Sequence, residues 1–439
     1  MSSSTIAVGA AGGVTGDRTR SLRATVVGNV LEWFDWTIYA TFSPFIARAL
    51  FAPTDPVSGL LQTLAIFAVG FVARPLGGLL FGRFADKRGR RASLVLSMMM
   101  MAVGSLLIAI IPSYSTIGAA ASALLLVARI IQGLAHGGES AAAYVYVSEL
   151  APAKSRGLWS SSVFVSISVG VIIASLLGVV LTSSLEAEQL NGWGWRVPFV
   201  VGTLVGVYAY FLRRGAVETD VFEAEQAKAA TPTSTPADRR SLILTCTRLV
   251  IILGASNVVY AVWLSFASTF AISVMKVPPA EAFRASLVAQ ILGMLALPIF
   301  GALSDRVGRK PMALLTCGGF ALLSFWLTGL LGPTAWSLFV AQSIALVLWA
   351  ALGSVWPAIM AEQVATGSRA ISVGVASSLG AALFGGTAPY LNAWLTSINM
   401  QWAFTAYTVA LNVVAVILIL TMRETRGIDL KTMQQSKAH

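Results

Sequence analysis

Charge is what this chain has least of. Asp, Glu, Lys and Arg make up 11% of it and hydrophobic residues 56%, where an ordinary soluble domain carries about 25% charge. So little charge excludes a soluble globular protein and leaves lipid as the solvent. Histidine and cysteine are nearly missing as well: His136, His439, Cys246 and Cys317 are the whole stock. They give no disulfide framework and no metal-ligand spacing, so no metal is expected. The sequence also has no nucleophile elbow, phosphate loop or dinucleotide fingerprint, and neither an enzyme nor a cofactor is expected. Acidic residues number 19 against 30 basic ones, a net charge of +11. That surplus is spread among short loops between apolar runs instead of gathering on one face or tail, which argues against a nucleic-acid partner. The first twenty residues are rich in Ser, Gly and Ala, lack an apolar core, and read as a cytoplasmic tail, not a cleaved leader.

What the chain has in abundance is long apolar runs. Twelve are long enough to span a bilayer, at 24–48, 59–82, 92–111, 118–148, 157–183, 196–213, 248–275, 283–304, 312–331, 335–361, 370–396 and 402–422. They lack the two-residue alternation of a transmembrane barrel. One long polar stretch, 214–247, with Thr-Pro-Thr-Ser-Thr-Pro at 231–236, separates six runs from six and reads as a linker. The predicted division is an N-terminal tail (1–23), a six-helix bundle (24–213), the linker (214–247), a second six-helix bundle (248–422) and a C-terminal tail (423–439).

Two marks identify the bundles as copies. Gly82-Arg83-Phe84-Ala85-Asp86-Lys87-Arg88-Gly89-Arg90-Arg91 returns 219 residues later as Gly301-Ala302-Leu303-Ser304-Asp305-Arg306-Val307-Gly308-Arg309-Lys310. Glu149 and Arg156 follow the fourth run, and Glu362 and Arg369 follow the tenth, 213 residues on. The fold class is therefore an all-α membrane protein, twelve transmembrane helices in two pseudo-symmetric bundles that repeat about an axis along the membrane normal. With the N-terminus inside, 24 of the 30 basic residues fall in cytoplasmic segments, four (Arg48, Arg196, Lys276, Arg284) at the outer surface and two (Arg74, Arg129) within spans. This bias places both termini in the cytoplasm.

Charged groups inside a span carry the functional signal, because each costs at least ~2.5–3.5 kcal/mol at the bilayer centre and needs a partner and a purpose. The first bundle has five: Glu32, Asp35, Arg74, Arg129 and Glu139; the second has none well inside a span. At 1.5 Å per residue, Asp35 lies ~16 Å into helix one and Glu139 ~15 Å into helix four, a good match, while Arg129 lies ~30 Å deep and Arg74 ~18 Å. Desolvation favours a neutral carboxyl and a nearby guanidinium favours a charged one, so small rearrangements can move a proton. Asp35 is the first candidate for proton coupling, with Glu32, Arg129, Glu139 and the lone helical His136 beside it. Arg74 is the candidate anion grip, since guanidinium binds carboxylate in bidentate fashion. Asn29, Tyr39, Tyr260, Trp263, Gln290, Trp356 and Tyr390 complete the candidate substrate-binding set. In the repeated loops, Asp86, Arg90, Glu149, Arg156, Asp305, Arg309, Glu362 and Arg369 are candidates for a cytoplasmic gate of charge pairs.

The repeated loops and the Glu149 to Gly157 pattern resemble the major facilitator superfamily. Gly28-Asn29-Val30-Leu31-Glu32-Trp33-Phe34-Asp35-Trp36, Arg74-Pro75-Leu76-Gly77-Gly78, Arg129-Ile130-Ile131-Gln132-Gly133, Gly137-Gly138-Glu139, Trp193-Gly194-Trp195-Arg196-Val197-Pro198-Phe199 and Phe384-Gly385-Gly386 resemble its metabolite:proton symporter branch, and within it the 2-oxoglutarate and citrate permeases. The resemblance implies a multi-pass cell-membrane symporter working by rocker-switch alternating access. Its expected partners are protons, membrane lipid and a small organic anion, a di- or tricarboxylate such as 2-oxoglutarate, and it is expected to be a monomer. It also implies that the helix-one acid and the helix-four arginine, Asp35 and Arg129, act together. Proline or betaine, or another organic acid such as shikimate, are the alternative substrates.

Overall fold

The computed structural model describes residues 10–52, 56–88, 90–137, 140–214, 236–364 and 369–430. These residues are almost wholly helical, as lipid demands: with no water to bond to, every backbone N–H and C=O must be satisfied within its own segment. The helices are α1 (Ala10–Leu50), α2 (Pro56–Arg88), α3 (Arg90–Ile110), α4 (Ala120–His136), α5 (Ser140–Leu150), α6 (Arg156–Ser184) and α7 (Val197–Arg214) in the first half. In the second half they are α8 (Pro236–Tyr260), α9 (Ala267–Ser273), α10 (Pro279–Val307), α11 (Arg309–Gly329), α12 (Ala335–Gln363), α13 (Arg369–Gly380), α14 (Ala388–Ser397) and α15 (Gln401–Thr421). Two π-helical segments, Ala261–Phe266 and Ala381–Gly385, join α8 to α9 and α13 to α14.

Each expected span falls on one or two of these helices, with informative differences at their ends. Among the described residues, seven helical stretches are long and apolar enough to cross a membrane on those grounds alone. The first helix starts at Ala10 instead of 24, and α8 starts at Pro236, so the last part of the expected linker is helical; 215–235 lies outside the described residues. The fourth span is described in two pieces, α4 and α5, with 138–139 between them. The turn after α10 is set by Gly308, whose φ of 115° favours glycine, the residue without a Cβ.

Polarity is inverted relative to a soluble protein. Leu322, Ile299 and Leu204 are 84%, 65% and 64% exposed on the outside, while Arg129, Gln342 and Ser354 are wholly buried. The halves meet mainly where α6 runs along α10 and α12, and where α5 packs against α12 and α13. Small residues make the closest approaches. A Cβ on Gly77 would strike the Leu134 carbonyl, one on Gly133 the Gly70 carbonyl and one on Gly137 the Arg74 carbonyl, so α2 and α4 lie backbone to backbone beside Arg74. A Cβ on Gly157 would likewise meet the Gly301 carbonyl at 2.6 Å, at the end of the α6–α10 seam.

Candidate functional site

Arg74 is 3% exposed and faces a cavity between the two halves. Its guanidinium carbon lies 3.6 Å from the Phe71 ring centre, 4.0 Å from that of Trp36 and 5.8 Å from that of Trp33. These aromatic faces hold the cation without using its hydrogen atoms, and its Nε and Nη2 have no hydrogen-bond partner. Across the cavity, the second half contributes Ser256, Asn257, Tyr260, Trp349 and Trp356. The Tyr260 hydroxyl and the Trp356 Nε1 are also buried without partners, whereas Trp349 Nε1 donates to Ser256 Oγ at 3.0 Å. Trp33, Tyr260 and Trp349 form a chain of ring contacts with centres 5.2 Å apart at each step. The result is a mainly aromatic chamber with one guanidinium and several idle donors, chemistry that suits an anionic or amphipathic small molecule.

A second cavity lies within the first half, lined by Glu32, Asp35, Ser105 and His136. Asp35 is 4% exposed. One of its oxygens accepts from the Ser105 hydroxyl, and the other accepts from Gln132 Nε2 at 2.7 Å. Arg129 Nη1 donates to Gln132 Oε1 at 2.7 Å and stands 3.9 Å from Asp35 Oδ2. Gln132 therefore bridges the ion pair. The Arg129 guanidinium also lies over the rings of Trp36 (4.0 Å) and Tyr39 (4.1 Å). One turn along α1 from Asp35, Glu32 pairs with His136 Nδ1. His136 lines both cavities, and so stands between the carboxylates and Arg74.

The halves are locked together on the face that carries the repeated loops. Arg156 Nη1 donates to Glu362 Oε1, and Arg369 Nη1 donates to Glu149 Oε1, both at 2.8 Å. Each arginine uses its Nε to hold a carbonyl of its own half: Arg156 that of Ser148 at 3.1 Å, Arg369 that of Ala361 at 2.9 Å. The two locks are thus copies with the partners exchanged. Asp305 adds a third, its carboxylate accepting from the Gly157 and Leu158 amides at 2.8 and 3.0 Å, where α6 leaves its first N–H groups unsatisfied. Arg309 Nη1 braces Asp305 at 2.8 Å. The segment after α15 joins in: Thr425 Oγ1 donates to Glu362 Oε2 at 2.7 Å, and the Ile428 carbonyl accepts from Arg156 at 2.9 Å. Toward the opposite face the halves touch again, where Thr269 Oγ1 donates to the Ala40 carbonyl at 2.7 Å and Phe42 stacks on Phe283.

The family model of the Major Facilitator Superfamily matches residues 25–386. The chain belongs to the Major Facilitator Superfamily. It is 34% identical over 412 residues to the alpha-ketoglutarate permease of Escherichia coli (strain K12), covering 92% of this chain and 93% of that one. It is 30% identical to a putative proline/betaine transporter of Staphylococcus haemolyticus, over 94% of this chain and 89% of that one. It is also 30% identical to the citrate-proton symporter of Klebsiella pneumoniae, over 89% and 88%. A crystal structure of a D-xylose-proton symporter shares the fold, with a TM-score of 0.73 at 18% identity over 93% of this chain and 99% of that one. This chain is accordingly a multi-pass membrane transporter of the major facilitator fold and not an enzyme.

Within this facilitator the expected site residues separate into groups. Arg74, Tyr260 and Trp356 share the central cavity. Trp263 faces a different, apolar pocket with Asn392 and Phe404. Gln290 donates to the Leu264 carbonyl, Asn29 to Ser166 Oγ at 3.5 Å, and Tyr39 to the Thr63 carbonyl at 2.9 Å, so all three bond within the protein and none lines the cavity. Tyr390 packs with Leu60, Leu64 and Phe270. The described partner of His136 is Glu32; Glu139 lies outside the described residues, as do the side chains of Asp86 and Arg90. Depth along the helices favoured Glu139 over Arg129 as the neighbour of Asp35, but Arg129 reaches Asp35 with its long side chain and Gln132 closes the gap. Sequence reasoning missed Gln132 and Ser105. Gln132 had a signal, three residues from Arg129 and hence on the same helix face; Ser105 had none.

Proposed function

We propose that this transporter is a proton-coupled symporter of a small organic anion, a di- or tricarboxylate such as 2-oxoglutarate, working by rocker-switch alternating access. One observation carries the reading: a buried arginine with two unpartnered donors faces an interdomain cavity that His136 connects to the Asp35 and Glu32 carboxylates. Arg74 would grip a substrate carboxylate, with the Tyr260 hydroxyl and Trp356 indole offering further hydrogen bonds. Asp35 would carry the proton. Protonated, it releases its hold on the Gln132–Arg129 pair; ionised, it restores it, and that exchange is the two-state element to which transport is coupled. The names of the permease and citrate-symporter relatives support the substrate class and the coupling.

The two bundles would be 24–213 and 248–422, rocking about the cavity, with a linker between and tails at 1–23 and 423–439. Both termini would lie in the cytoplasm, which makes the locked loop face the cytoplasmic gate. The protein would sit as a monomer in the cell membrane and need no cofactor beyond the proton gradient, and the membrane potential would add ~2.3 kcal/mol per 100 mV for each net charge moved inward. A second reading, a zwitterion such as proline or betaine, is favoured by the ring of Trp33, Tyr260, Trp349 and Trp356 around a single guanidinium, since aromatic faces bind quaternary ammonium.

Uptake into proteoliposomes under an imposed pH gradient decides among 2-oxoglutarate, citrate, shikimate, proline and betaine. Uphill uptake of a carboxylate that needs an acidic exterior is the expected result, and Asp35→Asn should abolish it while exchange of loaded substrate survives. Uptake indifferent to the pH gradient for every solute would end the symport reading.

A further inference from the structure

Gln290 reads as a substrate ligand in the sequence, yet it and Gln342 are buried, at 2% and 0% exposure, and neither lines the central cavity. Their carboxamides face the backbone of the π-helical segment Ala261–Phe266. Gln342 Nε2 donates to the Trp263 carbonyl at 2.7 Å, and Gln290 Nε2 to the next carbonyl, Leu264, at 3.1 Å. Ser286 Oγ donates to Gln342 Oε1 at 2.8 Å, which fixes the orientation of that amide.

A π turn holds one residue more than an α turn and takes carbonyls out of the regular ladder, so it persists where other donors reach them. The extra residue also rotates everything beyond it by about 100° relative to an unbroken helix. On one side of the segment stands Tyr260, its hydroxyl unpartnered in the cavity of Arg74. On the other stands Thr269, bonded to the Ala40 carbonyl of the opposite half. A regular helix could not present both residues as they stand.

We propose that Gln342 and Gln290 are positioning residues: by clamping the carbonyls of Trp263 and Leu264 they hold a one-residue register shift that aims Tyr260 at the substrate while Thr269 seals against α1. The effect on substrate rests on the transport reading above; the clamp itself does not.

The test has two arms. Hydrogen exchange of the purified full-length protein in detergent needs no substrate: Gln342→Leu should speed exchange of the amides in 258–270 by about tenfold, with α11 unchanged. In proteoliposomes, on whichever solute the wild type transports, Gln342→Leu and Tyr260→Phe should each raise KM by about five- to tenfold with Vmax within about twofold, as expected for one lost hydrogen bond. The double variant should be no worse than the poorer single one, because one residue acts through the other. Should Gln342→Leu fail to fold, Ser286→Ala, which only frees the amide, and Gln290→Met serve in its place. Unchanged exchange in 258–270, or KM effects that multiply in the double variant, would overturn the clamp. A wild type that transports nothing in the panel would remove the transport reading and leave the exchange arm to decide.

Discussion

Arg74 is a cation buried in the protein interior with two of its donors idle. Aromatic faces stabilise its charge but leave its N–H groups unsatisfied, and a buried donor without an acceptor costs free energy that a ligand's carboxylate recovers on binding. The planar fork is what Arg74→Lys removes. That variant should fold, keep its charge and lose a charge-assisted hydrogen bond, raising KM for a carboxylate by about ten- to a hundredfold. Uptake kinetics of wild type and variant check this, and an unchanged KM would take Arg74 out of the binding site. Charged residues were the legible part of this region, because any ionised side chain within an apolar run stands out: Glu32, Asp35, Arg74 and Arg129 all lie buried in the interior. Polar neutral residues were not legible in the same way. Gln132 lies on the Asp35–Arg129 axis, whereas Gln290 and Gln342 serve backbone carbonyls, and an amide in an apolar run gives no hint of which task it has.

At the scale of elements, the turn between α10 and α11 is where the sequence and the fold agree most closely. The repeated loop at 301–310 joins two expected spans, and the turn from α10 to α11 falls within it at Gly308, while Asp305, read as a gate residue, accepts from the first amides of α6. The helix interruptions escaped notice, since an apolar run that gains one residue in a π turn looks no different from one that does not. The segment after α15 also went unread. There Glu424 caps α11, accepting from the amides of Arg309 at 2.8 Å and Lys310 at 2.9 Å, with those of Thr425 and Arg426 beside them. Partial burial pushes the Glu424 carboxyl up, but these four amides outweigh it and hold the group below the ordinary glutamate value. A carboxyl held low in the folded state stabilises it above the ordinary range, and that stabilisation is lost as pH falls through the lowered value. Wild-type Tm should therefore drop on acidification below about pH 5. Glu424→Gln should start lower at neutral pH and lose less over the same interval. Thermal unfolding in detergent at several pH values makes the comparison, and parallel curves for the two proteins would contradict it.

At the scale of the whole molecule, two six-helix halves are joined at the loop face by reciprocal arginines, and the two locks are unequal in depth. The side chain of Glu362 is wholly buried, while that of Glu149 is 45% exposed. Removing one partner of a buried pair costs about 3–5 kcal/mol, against about 0–1 for an exposed pair. Glu362→Gln should accordingly release the loop face far more than Glu149→Gln. With Ser377→Cys as a reporter in the cavity wall and the native cysteines replaced, an impermeant thiol reagent applied from the loop side should label the Glu362→Gln background at least about tenfold faster. Equal labelling in both backgrounds would mean that burial does not set the strength of these locks.

Glu362 takes hydrogen bonds from Arg156, Arg309 and Thr425, which belong to the first half, the second half and the segment beyond the last helix. Loss of any one of the three leaves the buried Glu362 carboxylate short of a hydrogen bond. If this face is the gate proposed above, opening should break the three contacts together, and a population of these molecules should sort into shut and open with little between. A single carboxylate would thereby be the toggle of the machine.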